Sequence, residues 1–170
     1  MNTVEGAFLD FSVKKLRQLG SRIEACLEKL DDDQIWLRGS ENANAVGNLC
    51  LHLAGNMRQW IMHGVGGVPD VRTRDREFAA RGGMTKQELR ERLFSTLDEA
   101  VAVIESQKDL LRTVRPQTYE VTVLDAIYHV VEHFAQHAAQ IIYATKAFTG
   151  EDLGFYRHLT QPTASKDPMP

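Results

Sequence analysis

Apolar residues recur at three- and four-residue spacing in four long stretches of the chain, the signature of helices that bury one face. From about residue 3 to residue 30 the register runs through Phe8, Val13, Leu16, Leu19, Ile23, Cys26, Leu27 and Leu30. Asp31-Asp32-Asp33 interrupts it and offers an acidic start to a short helical turn through Trp36. A second long helix is expected from near Asn44 to near His63, where Gly64, Gly66, Gly67 and Pro69 break it. Residues 71–83 read as a loop rich in arginine and acid. The third helix opens at Thr85-Lys86-Gln87-Glu88, a capping-box pattern, and continues through Leu89, Leu93, Leu97, Val101 and Ile104. Arg115-Pro116-Gln117 marks a turn. The fourth helix is expected from Thr122-Val123-Leu124-Asp125 to Phe148, with Thr149-Gly150 as its stop. There is no internal repeat, and strict strand alternation never exceeds a few residues. The pattern predicts an all-α fold, most simply a four-helix bundle.

Composition changes this picture little until the histidines. The 170 residues suit one domain, taken as 1–159, with a flexible tail over 160–170 that holds three of the five prolines. Twenty basic residues against 23 acidic ones give a formal charge of −3 and no basic footprint for nucleic acid. The acidic N-terminus shows no secretory signal. The longest apolar segment, 121–148, is broken by three histidines and Glu132, so no membrane span is expected. These features suggest a cytoplasmic protein with reduced thiols. Cys26 and Cys50 are too few for a disulfide framework and read as small core hydrophobes.

Six histidines are the unusual feature, and His129, His133 and His137 fall within nine residues. At roughly 100° per residue these three occupy one arc of the fourth helix, with Gln140, Thr122 and the small Ala126 and Ala144 inside it. Val130, Ile141, Phe134 and Ile127 form the adjoining apolar face. The second helix repeats the arrangement. There His52 shares an arc with Asn48, Asn56, Gln59 and His63, and Leu49, Trp60 and Leu53 lie next to it. Polar stripes flanked by small residues fill a core poorly and line a cavity well. Histidines at i and i+4 can aim imidazole nitrogens at a single ion, and neutral imidazoles favour a late divalent transition metal. Hydrogen-bonded core or surface histidines are the plain alternative. Spacing on separate helices does not show that the two stripes meet.

The motifs on these helices resemble the DinB/YfiT-like superfamily of four-helix-bundle proteins, and most closely its DUF1572 branch. On the second helix, Asn48-Leu49-Cys50-Leu51-His52-Leu53-Ala54-Gly55-Asn56 is similar to that branch's N-x-x-x-H-L-x-G-N signature. On the fourth, His129-x-x-x-His133-x-x-x-His137-Ala138-Ala139-Gln140-Ile141 resembles the superfamily's histidine run ending H-x-G-Q-I, with Ala139 in place of the glycine. The segment Arg74-Asp75-Arg76-Glu77-Phe78 also resembles the branch. The resemblance implies a divalent-metal site of His52, His133 and His137, holding nickel, zinc or a similar ion. It also implies a homodimer, and an enzyme of thiol-dependent transferase or hydrolase type whose small-molecule substrate is unknown. A low-molecular-weight thiol is the co-substrate in the first case. The other reading is a non-enzymatic, stress-related binding module in which the metal is structural or absent.

Outside that ligand set, His129 reads as a hydrogen-bonded pocket wall, and Asn56 and Gln140 as residues that orient ligands or water. His63 is too far along its helix to share the ion and reads as a helix-end histidine facing the last carbonyls. His158 has no assigned role. Arg72, Arg74 and Arg76 could bind a carboxylate, but a solvated ion-pair network with Asp70, Asp75 and Glu77 is the expected state. Ala54 and Gly55 are expected to allow close helix approach, and Trp60 to serve the core or a dimer contact.

Overall fold

The computed structural model describes residues 3–157. The expected tail over 160–170 and His158 lie outside the described residues. The fold is all-α. Helices α1 (Val4–Lys29), α3 (Val46–Met57), α5 (Lys86–Glu105) and α6 (Val123–Thr149) are the long elements, and α2 (Asp32–Trp36) and α4 (Arg74–Ala79) are short. They pack as a closed ring in which α1 touches α6 and α5, and α3 touches the same two helices from the other side. The pairs α1/α3 and α5/α6 therefore face each other along diagonals.

The helix starts are chemical. Thr3, Asp31, Thr85 and Thr122 each sit in extended backbone and accept a hydrogen bond from the first turn that follows. At Asp31, Thr85 and Thr122 the side chain of the residue three positions on returns the bond to the cap's own N–H, which satisfies two orphan donors at once. Helix α6 ends at Gly150 in the left-handed region (φ 69°), where a side chain would be disfavoured.

One core fills the ring. Leu16, Ile23 and Leu27 from α1 meet Leu53 and Met57 from α3, Leu93 and Leu97 from α5, and Ile127, Phe134 and Ile141 from α6, all at most 1% exposed. Cys26 and Cys50 are buried in this core, as expected. Burial pushes both thiols up, Cys50 to about 12, so neither is poised to ligate a cation.

Three features depart from the sequence expectation. The second helix ends close to His63, as expected, but after Met57 it rewinds into a π-helical stretch, Arg58–Val65, before Gly66 ends it. The wider i→i+5 winding turns less than 100° per residue and swings Trp60 towards the histidine side of the helix. A two-residue antiparallel ribbon, β1 (Thr113–Val114) with β2 (Val121–Thr122), joins α5 to α6 and pairs Thr113 with Thr122. Finally, the expected loop over 71–83 contains α4 and buries two of its charges.

Candidate metal centre

Burial of the apolar faces of α3 and α6 brings their polar stripes into contact. His52 of α3 is 4% exposed, and its Nε2 lies 3.0 Å from Nε2 of His133 on α6. One turn along α6, His137 Nε2 lies 3.2 Å from the same His133 atom. Three nitrogens from two helices thus converge on one point, and they could hold a metal ion. At a metal–nitrogen distance of 2.0–2.1 Å, tetrahedral ligands stand about 3.3 Å apart. The two spacings to His133 are near that value, and the three ligand atoms all lie within 4.8 Å of one another.

The far nitrogens of two rings are fixed by acceptors. His52 Nδ1 sits 2.9 Å from Glu77 Oε2, and His137 Nδ1 sits 2.8 Å from Gln140 Oε1. An amide or carboxylate oxygen needs a proton on the nitrogen it meets, so both Nδ1 atoms donate and both Nε2 lone pairs point inward. Arg72 Nη2 also comes within 3.1 Å of His52 Nδ1. Nδ1 cannot be bare there, because it would then face the Glu77 oxygen lone pair without a proton between them. His133 Nδ1 is buried with no partner, so its tautomer is free to follow whatever its Nε2 binds.

The electrostatics disfavour the charged form of His133, His137 and His129. Burial, aided by the charges His137, His52, His129 and Arg72 would place nearby, drives the His133 imidazolium down to about 3. Burial also lowers His137, although the Gln140 bond works against it. His129 is lowered by burial too, with Glu132 opposing. Neutral imidazoles with bare Nε2 atoms are the ligand form a cation requires.

Glu77 is the functional residue that pattern reasoning missed. It lies on α4 and is 8% exposed. Arg72 clamps it with two bonds, Nε to Oε1 and Nη2 to Oε2, both 2.8 Å. Burial alone would raise the Glu77 carboxyl, but the bonds from Arg72 and His52 outweigh it and hold the group below the usual carboxylate range. The expected solvated network is therefore wrong for this pair: the Arg72 side chain is 3% exposed and that of Glu77 10%. Arg74, Asp75 and Arg76, by contrast, are exposed.

Asn48 builds the seat for this segment. Its Nδ2 donates to the carbonyls of Glu77 (2.8 Å) and Ala80 (2.9 Å), while its Oδ1 accepts from Ala45 N–H and Arg38. Arg38 adds bonds to the Phe78 and Ala80 carbonyls. Gly55 makes the room. A β-carbon at that position would stand 2.0 Å from Glu77 Oε1 and 2.9 Å from Arg72 Nε. Its absence serves the ion pair, not the helix approach that the sequence suggested.

A pocket of about 470 Å³ opens beside the histidines, walled by Trp60, Tyr119 and His129 and floored by His52 and His133. The Trp60 ring lies 3.9 Å from that of His129, and Asn56 Nδ2 lies 3.4 Å from His129 Nε2. His129 is thus a wall residue, 5.6 Å between ring centroids from His133, and it stands outside the converging trio. Trp60 is buried, as expected, and at the same time faces the pocket. Gln117, at the ribbon's turn, adopts φ 55° and bonds Gln59, which also receives Arg72 Nη1. His63 donates from Nδ1 to the carbonyl of Val68 (2.7 Å), which lies in the loop past the helix end and is not one of the last helical carbonyls expected as its partner.

A family model for proteins of unknown function, DUF1572, matches residues 3–164. The chain belongs to the DUF1572 family. A crystal structure of a conserved protein from Enterococcus faecalis superposes with a TM-score of 0.68 at 16% sequence identity, over 84% of this chain and 97% of that one. At that identity the likeness speaks to the fold alone. No curated protein matches the chain. Among the described residues of this DUF1572 protein, no helix is long and apolar enough to cross a membrane.

Proposed function

We propose that this DUF1572 protein is a metal-dependent enzyme on a four-helix bundle of the DinB/YfiT type, with His52, His133 and His137 as ligands of a divalent ion, nickel or zinc. The observation that supports this most is the convergence of three Nε2 atoms, two of them oriented by acceptors on their far nitrogens. A bound ion would supply Lewis acidity to water or a thiol in the position that three ligands leave open. The chain's own residues do the rest. Glu77 and Gln140 hold the rings of His52 and His137, while Trp60 and Tyr119 shield one side of the pocket from bulk water. His129 and Asn56 are placed to hold a polar group of a substrate in the same pocket.

The accessible pocket favours a reactive ion over a purely structural one, because a sealed shell would need no opening beside His52 and His133. Cobalt(II) replaces the native ion in the test. Addition of 2-mercaptoethanol to the cobalt-loaded protein is expected to produce a thiolate-to-cobalt absorption band. An unchanged spectrum would instead support the structural alternative. Turnover that requires an added small thiol would select the transferase type over the hydrolase type.

A further inference from the structure

The three arginines that stand together in sequence are divided by the fold. Arg72 is consumed: Nε and Nη2 serve Glu77, and Nη1 serves Gln59. Arg76 lines a separate groove with Arg58 and Arg92, on the other side of the segment. Arg74 alone combines exposure with a place on the wall of the histidine pocket. Among the described residues it makes no ion pair. Its guanidinium lies 4.9 Å over the Phe78 ring, and that ring in turn lies 4.5 Å from the imidazole of His52. Phe78 therefore links Arg74 to a converging histidine through two ring contacts, and the Arg74 donors are unspent among the described residues.

The pocket's charge balance points the same way. No aspartate or glutamate lines it among the described residues, and its charged groups are Arg72 and Arg74. The Glu77 carboxylate neutralises Arg72, which leaves one net positive charge from side chains, on Arg74. We propose that Arg74 is the recognition residue of this pocket and that the substrate or co-substrate it selects carries a carboxylate. The inference rests on the reading of the pocket as a reaction site. A single planar guanidinium matches a single carboxylate, fork to fork. Arg74 acts by binding and takes no part in bond making.

The test compares N-acetylcysteine with its methyl ester, two thiols of nearly equal shape of which only the acid carries the charge. Binding to the cobalt-loaded full chain is measured by calorimetry, with the cobalt spectrum recorded in parallel. The acid is expected to bind about ten-fold more tightly than the ester, the order of one charge-assisted hydrogen bond pair. Arg74→Gln is expected to erase that gap, Arg74→Lys to keep part of it, and Arg76→Gln to leave it whole. Equal affinities in the wild-type chain, no measurable binding of the acid, or a gap that survives in Arg74→Gln would overturn the assignment. A cobalt spectrum that neither thiol perturbs would overturn the open-coordination reading instead, whatever the calorimetric gap.

Discussion

A carboxylate beside three histidines would ordinarily compete to become a fourth ligand. Here both Glu77 oxygens are occupied, Oε1 by Arg72 and Oε2 by Arg72 and His52, so the group orients an imidazole and has no oxygen free to act as a ligand. Removing the charge while keeping the shape, in Glu77→Gln, is expected to weaken zinc affinity about 10- to 100-fold with stoichiometry unchanged, as read by chelator competition. Stability should fall as well, on the order of 3 kcal/mol, because Arg72 is then buried without a counter-charge. Gly55→Ala sets two effects against each other. Helix propensity favours alanine by about 0.5–1 kcal/mol. A methyl group 2.0 Å from Glu77 Oε1 forces the ion pair apart, which costs more. The expected outcome is a lower melting temperature and an affinity loss like that of Glu77→Gln; an unchanged affinity would show that the pair does not support His52.

At the scale of elements, the capped helices carry their boundaries in local chemistry. Thr122 Oγ1 accepts from Asp125 N–H, and Asp125 Oδ2 accepts from both the N–H and the hydroxyl of Thr122. Thr122→Ala should therefore cost about 1 kcal/mol in urea unfolding. Such starts were legible because four consecutive residues decide them. The long faces of α1, α5 and α6 were legible because periodicity repeats over many turns. Helix α4 was not. Its six residues are mostly charged and have no apolar stripe, and the bonds that seat it come from Asn48 and Arg38, at least 29 positions away in sequence. The π-helical end of α3 escaped for a similar reason, since nothing in RQWIMHGV distinguishes i→i+5 from i→i+4 bonding before tertiary packing acts. At the site, His52, His133 and His137 could be named from stripes and resemblance. Glu77 could not, because its partner on α3 is 25 residues away and its own neighbours suggest an exposed salt network.

For the whole molecule, the neutral histidines link stability to pH. His133 binds its proton at about 3 when folded and near 6.5 when unfolded, and His137 and His129 are shifted in the same direction. Between those limits the unfolded chain holds more protons, so unfolding free energy rises with pH there and falls as acid is added. Metal-stripped protein should lose melting temperature steadily from pH 6.5 to pH 5, above the range where ordinary carboxylates titrate. His133→Gln should flatten that slope. A wild-type melting temperature that is constant or rising from pH 7 to pH 5 would show that the rings are not held neutral.

The ring of helices, the buried Arg72–Glu77 pair and the pocket all bear on one claim, that His52, His133 and His137 bind a single divalent ion. Elemental analysis of the purified full chain after zinc loading and dialysis tests it most directly. The account predicts one zinc per chain, lost in His133→Ala and retained in His129→Ala. Substoichiometric zinc in the wild-type protein, or full occupancy in His133→Ala, would contradict it.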